Sequence, residues 1–316
     1  MKLPRCRLRD PLRVLSRRSP SAHHQASFTT QQKPLNTLED GSVSRFRETS
    51  FLPERPIVFP RQHFRQTLPA FERWFQASPV PNVARLDTEY LEQHGAESFV
   101  PLELTQSQNS TPNTDGQPTG PDSLTFRQFH APLSLFLEWM RAAETQSPST
   151  RLYLAQCQVT DLPPALRNDF PTPELVRHAG KGDIYDTNVW IGLPPTYTPL
   201  HRDPNPNLFV QLAGEKVVRL LPPDDGQALF ASVKRQLGQS GGREAAAFRG
   251  DEMMHGQERV LLERAVWGDG LHEGPRYEAY EAQLEAGDGM FIPKGWWHSI
   301  KGVGEGVTAS VNWWFR

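Results

Sequence analysis

The feature that most constrains the fold is the stretch over residues 198–221, TPLHRDPNPNLFVQLAGEKVVRLL. Pro199, Pro204 and Pro206 hold its first part extended, and two β-rich runs follow at 208–212 and 217–221. The short Ala213-Gly214-Glu215 link between them predicts a hairpin. Similar runs stand at 57–59, 151–159 (RLYLAQCQV), 184–193 (IYDTNVWIGL) and 306–315 (GVTASVNWWF), with a strand–turn–strand at 280–292 about Gly287-Asp288-Gly289. Short strands separated by Gly and Pro turns, preceded by helices, predict a mainly β protein, a double-sheet barrel with helical extensions.

The helical signals lie mostly in the N-terminal half. Phe71, Trp74 and Phe75 at i, i+3 and i+4 predict a helix over 68–77. A short helix is expected at 89–94, and Leu133, Phe136, Leu137 and Met140 place another within 124–143. Residues 225–267 read as a long excursion between β elements, helical in parts. Residues 105–123 (TQSQNSTPNTDGQPTGPDS) carry no large apolar side chain and read as a disordered insertion. Residues 1–45 form a basic leader: Lys2, Arg5, Arg7, Arg9, Arg13, Arg17 and Arg18 face a single early acid, Asp10. An Arg-rich, Ser-containing, acid-poor start is the pattern of a mitochondrial transit peptide, with cytoplasm or nucleus as the alternative for a plain basic tail. The expected organisation is a disordered leader over 1–45, a mixed helical extension over 46–150 and the β barrel over 151–316.

Composition narrows the classes. A net charge of −2 gives no reason to expect nucleic acid as a partner. Only Cys6 and Cys157 are present, which excludes a disulfide framework and fits an intracellular setting. No apolar run approaches the ~20 residues a membrane span needs, so no membrane partner is expected.

The chemistry begins with His201 and Asp203. Two apart in an extended chain, they share a face, and an imidazole with a carboxylate supplies two ligands of a 2-His-1-carboxylate iron site. His298 is the best-framed third ligand, delivered at a strand start by GDGMFIPKGWW. His255 and His272 lie in the polar excursion, and His23 and His24 in the leader. Any one of these histidines could instead be structural, and His-x-Asp alone arises often by chance; the combination carries the weight. Lys216 could pair with a carboxylate inside the barrel, or be a solvent-facing turn lysine.

The motifs YLAQ (153–156), DLPPAL (161–166), TPLHRDPNPNLFVQLAGEK (198–216), GDGMFIPKGWWH (287–298) and SVNWWF (310–315), with Trp190, resemble those of the JmjC family of Fe(II)/2-oxoglutarate oxygenases. The likeness is greatest to the small JmjC-only protein hydroxylases: the arginyl-hydroxylase-like branch and the asparaginyl hydroxylase of hypoxia-inducible factor. It covers roughly residues 50–316 and implies a double-stranded β-helix, the jelly-roll barrel of cupins. It implies Fe(II) on His201, Asp203 and His298, and 2-oxoglutarate as cosubstrate. Lys216 and Thr198 match the pair that binds its far carboxylate, Asn207 an amide near its other end, and Tyr153 a phenol that also reaches it. Trp190 and Trp314 match aromatic positions lining the pocket. Strand alternation sends Thr308, Ser310, Asn312 and Trp314 to one face, so Trp314 rather than Trp313 is expected at the cavity. The insertion at 105–123 and the excursion around 238–258 depart from the compact members, and the chain lacks a match to the dimerising helices of the asparaginyl hydroxylase.

The resulting expectation is a dioxygenase that consumes O2 and 2-oxoglutarate, releases succinate and CO2, and hydroxylates a side chain of a protein or peptide substrate. The alternatives are oxygenation of a tRNA base or of N-methyl-lysine, and a catalytically silent JmjC scaffold. A cupin holding Zn or Mn without 2-oxoglutarate is a further alternative, against which Lys216 and Thr198 argue.

Overall fold

The computed structural model describes residues 29–78, 80, 83–107, 124–146, 149–242, 251–268 and 276–316. Most of the expected insertion, residues 243–250 of the excursion and residues 1–28 of the leader lie outside them. Along the chain come β1 (Thr29–Pro34), α1 (Val43–Phe46), β2 (Ile57–Val58), α2 (Ala70–Arg73), β3 (Phe75–Ala77), β4 (Ala84–Leu86) and α3 (Thr88–Gly95). Then follow β5 (Phe99–Ser107), β6 (Leu124–Pro132), α4 (Leu133–Ala143), β7 (Thr150–Gln158), α5 (Pro164–Arg167) and α6 (Glu174–His178). The remainder is β8 (Ile184–Gly192), β9 (Thr196–Arg202), β10 (Asn207–Ala213), β11 (Glu215–Leu221), α7 (Pro223–Gln236), α8 (Gly256–Trp267), β12 (Arg276–Leu284), β13 (Gly289–Ile292), β14 (Trp297–Val303) and β15 (Thr308–Phe315).

Two sheets face each other. The major sheet runs β2-β13-β10-β15-β8-β7-β5-β6 and the minor sheet β1-β12-β11-β14-β9. Every pairing within them is antiparallel except β1 with β12. Alternation sorts the side chains. Leu208, Val210 and Leu212 of β10 pack outward with Phe136, Leu137 and Trp313, whereas Phe209 points inward against Val218, Leu220, Met290 and Ile292. On the other side α7 and α8 cover the minor sheet, burying Phe230, Val233, Leu262 and Val266 against Leu200, Leu221 and Trp297.

Four expectations need correction. The runs expected as one hairpin are strands, but β10 lies in the major sheet and β11 in the minor. Both edges of each are already paired, β10 with β13 and β15, β11 with β12 and β14. Gly214, at φ +62°, turns the chain between the sheets. The strand–turn–strand expected at 280–292 is present, and its two strands are divided in the same way, β12 in the minor sheet and β13 in the major. The helix expected over 68–77 stops at Arg73, because Phe75–Ala77 pairs with β4 and the Trp74 carbonyl accepts the Asp87 N–H (2.8 Å). The leader reading fails from Thr29 onward: β1 extends the minor sheet, and Ser42 caps α1 by accepting from the Arg45 N–H. The segment 46–150 is likewise no separate extension, since β5 and β6 continue the major sheet beyond β7.

Candidate metal centre

At the open end of the barrel His201, Asp203 and His298 converge, with one ligand atom from each within 4.8 Å of the others. His201 and His298 are opposite partners in the β9–β14 ladder, and Asp203 follows the end of β9. The ladder is irregular here: Pro199 and Leu200 oppose Ser299 alone. This bulge matters, because Thr198 and His201 are three apart and a regular strand would put them on opposite faces. The extra residue restores phase, so both line the cavity while Leu200 packs outward under α7 and α8.

Backbone carbonyls fix the imidazoles. His201 Nδ1 lies 2.8 Å from the Pro199 carbonyl and His298 Nδ1 3.2 Å from that of Trp296. With each Nδ1 donating, each Nε2 turns its lone pair toward Asp203, at 3.8 and 3.7 Å. These separations exceed a hydrogen bond and approach the roughly 3 Å between neighbouring ligands of one ion with bonds of ~2.1 Å. Asp203 Oδ2 accepts from Trp314 Nε1 (2.8 Å) and Asn207 Nδ2 (3.0 Å), which leaves Oδ1 for a ligand. Burial pushes His298 down to about 4, with the neighbouring His201 adding to it. Burial also opposes charge on Asp203, yet the two imidazoles and its two hydrogen bonds outweigh it and hold the carboxyl below its usual range. At neutral pH Asp203 is a carboxylate and His298 a neutral imidazole, the protonation states a metal needs. Two nitrogens and one oxygen on one side of a buried site fit Fe(II).

Behind the trio, Lys216 sits 3% exposed. Its ammonium donates to Ser310 Oγ (2.7 Å), lies 3.5 Å from the Tyr153 hydroxyl, and sits over the Phe209 ring (5.5 Å). Among the described residues no carboxylate pairs with it. Burial pushes its pKa down to about 7 and that of Tyr153 up. A buried cation lacking a counter-charge is a ready partner for an anionic group, so the residues present fit the far carboxylate of a 2-oxo acid.

The cleft over these groups, about 440 Å³ including its mouth, is lined by every sequence-predicted site residue: Tyr153, Trp190, Thr198, His201, Asp203, Asn207, Lys216, His298 and Trp314. Trp314 faces it as expected, while Trp313 is buried in the apolar core. Asn207 lines the cleft and donates from Nδ2 to Asp203 Oδ2. Sequence reasoning did not name Thr196, Phe209, Ile300, Ser310 and Asn312 as lining residues, although alternation puts Ser310 and Asn312 on the face of Trp314. The signal was present in β15, where Ser310 and Asn312, 0% and 2% exposed, alternate with apolar residues. Asn312 Oδ1 accepts the Trp190 indole N–H at 2.7 Å.

A family model described as a cupin-like domain matches residues 44–316. The chain belongs to the cupin-like, JmjC-type family. Among its relatives, "Lysine-specific demethylase JMJ30" of Arabidopsis thaliana is 30% identical over 187 residues, 57% of this chain and 37% of that protein. "Lysine-specific demethylase 8" of Danio rerio is 29% identical over 165 residues, 52% of this chain and 36% of the relative. "Jumonji C domain-containing protein 5" of Drosophila melanogaster is 24% identical over 292 residues, 91% of this chain and 61% of the relative. The chain therefore spans less than two thirds of the length of each. The cupin-like match begins at residue 44, ahead of β2, and takes in the strands and helices preceding residue 151, in keeping with the continuous major sheet.

Proposed function

We propose that this cupin-like JmjC protein is an Fe(II)- and 2-oxoglutarate-dependent oxygenase that hydroxylates a side chain of a protein or peptide. The observation that carries the reading is the uncompensated Lys216 ammonium buried behind a metal-ready His-Asp-His trio. His201 and His298 through Nε2, and Asp203 through Oδ1, would hold the metal. Lys216, with Thr198 of β9 and Tyr153 of β7 lining the same cleft, would hold the far carboxylate of 2-oxoglutarate. Asn207 and Trp314 keep the Asp203 carboxylate turned toward the metal position, and Trp190 and Trp314 wall the cleft against water. When bound, iron and 2-oxoglutarate supply the oxidising chemistry: O2 is consumed, succinate and CO2 leave, and one oxygen atom enters a substrate C–H bond.

The relatives' names favour a second reading, oxygenation of N-methyl-lysine. The cleft weighs against it, since Asp203 is the single carboxylate among the described lining residues and its charge belongs to the metal. A cationic side chain would meet tryptophan and asparagine there instead.

The test is anaerobic addition of Fe(II) and 2-oxoglutarate to wild type and Lys216→Ala. The expected outcome is a visible metal-to-ligand charge-transfer band in wild type, weakened in the variant. Metal bound without a band would sink the reading and leave a binding scaffold. Mass spectrometry of peptide substrates then separates hydroxylation, a gain of one oxygen, from demethylation, a loss of one methyl.

A further inference from the structure

The bulge that brings Thr198 and His201 to one face contains Pro199, which has no N–H to give to the ladder. A side chain adds a tie at this point. Ser299, 0% exposed and next to His298, donates from Oγ to the Thr198 carbonyl at 2.8 Å. The same Oγ accepts the Trp267 indole N–H at 2.9 Å. Trp267 closes α8 on the outer side of the minor sheet, so a continuous chain of hydrogen bonds runs from that helix, through the sheet, to the backbone of a cavity residue.

Trp267 is itself held in register. Its ring lies between the Arg219 guanidinium, 4.4 Å from the centroid, and the Lys301 ammonium, 4.9 Å away. Arg219 is fixed by Glu281 Oε2 and the Val266 carbonyl, each at 2.7 Å, and Lys301 by Glu263 Oε1 at 2.7 Å. Two anchored cations and one aimed N–H leave the indole a single orientation. Apolar packing alone would not need that.

We infer that Trp267 and Ser299 are positioning residues for the 2-oxoglutarate carboxylate site, acting on it through the backbone of Thr198. The inference rests on the oxygenase reading of the cavity. The relay fixes the Thr198 carbonyl and with it the setting of the Thr198 side chain in the cleft that Lys216 also lines. It makes no hydrogen bond to the metal trio, whose two imidazoles are held by the carbonyls of Pro199 and Trp296.

The experiment compares Trp267→Phe, which keeps a ring between the cations, and Ser299→Ala with wild type. Affinity for 2-oxoglutarate is measured by calorimetry with Mn(II) as an oxygen-stable stand-in for iron, alongside affinity for Mn(II) alone. Loss of one buried hydrogen bond is expected to weaken 2-oxoglutarate binding about fivefold in each variant, with Mn(II) affinity unchanged. In turnover the same variants raise KM for 2-oxoglutarate and keep kcat. Unchanged 2-oxoglutarate affinity, or an equal loss of metal and cosubstrate, overturns the relay. If wild type itself binds no 2-oxoglutarate, the oxygenase reading falls and amide hydrogen exchange decides the relay on its own. Faster exchange in Thr196–Arg202 of either variant, with β10 unaltered, sustains it; unchanged exchange there overturns it.

Discussion

Lys216 is the residue at which folding and function pull in opposite directions. Taking an ammonium out of water without a counter-charge is unfavourable, and its pKa of about 7 measures that conflict. Below pH 7 the free protein holds the amine charged; above it the amine is neutral. A bound carboxylate favours the charged form and raises the pKa, so binding takes up a proton whenever the free protein has lost it. Affinity for 2-oxoglutarate is therefore expected to be level below pH 7 and to fall about tenfold per pH unit above it, a trend calorimetry across pH 6–9 would show. Lys216→Met removes the conflict. It should abolish cosubstrate binding and leave the free protein at least as resistant to urea as wild type at pH 6. Asp203 shows the complementary logic. Trp314→Phe strips one of the two donors from Oδ2, and metal affinity is expected to drop on the order of tenfold, measured by competition with a chelator.

Elements show where sequence reading succeeds and where it stops. The strand at 306–315 and the position of Trp314 were legible because alternation is local: two neighbouring side chains must part to opposite faces. His298 was legible because a Gly turn and an apolar run frame it. The hairpin was misread because partner choice is not local; β10 and β11 are each claimed by two strands distant in sequence, and nothing within residues 208–221 records that. Thr198 and His201 share a face only through a bulge opposite Ser299, about a hundred residues away in the chain. Ser310 and Asn312 shared the face of Trp314 by the same alternation, but which residues of that face reach the cavity depends on the opposite sheet and is not local. Gly214 is the residue on which the crossing depends. A Cβ there would lie 2.4 Å from the Val307 carbonyl oxygen, and φ of +62° disfavours any side chain. Gly214→Ala is expected to destabilise the fold by at least about 2 kcal/mol, read as a lowered urea midpoint with unchanged slope.

At the scale of the whole molecule the minor sheet sets how much of the leader is dispensable. β1 pairs with β12 over six residues, from Thr29 with Arg276 to Pro34 with Glu281, and the chain goes on to hydrogen-bond from Leu35 N–H to the Glu281 carbonyl at 3.0 Å. Removing those residues would leave the outer edge of β12 with unpaired N–H and C=O groups. That edge lies beside Lys33 and Glu278, an exposed ion pair whose own contribution is small. The backbone pairing is what would be lost. An organellar leader, the expectation raised by the early arginines, must therefore release the chain before Thr29 if the minor sheet is to keep its outermost strand. Chains beginning at residue 29 and at residue 46 separate the two possibilities. The first is expected to melt with the full-length protein and remain monodisperse on sizing. The second is expected to melt lower and to self-associate with rising concentration, because an exposed strand edge is completed most readily by another copy of itself. Equal behaviour of the two would mean that β1 only covers the sheet and that its stability resides in β12, β11 and β14.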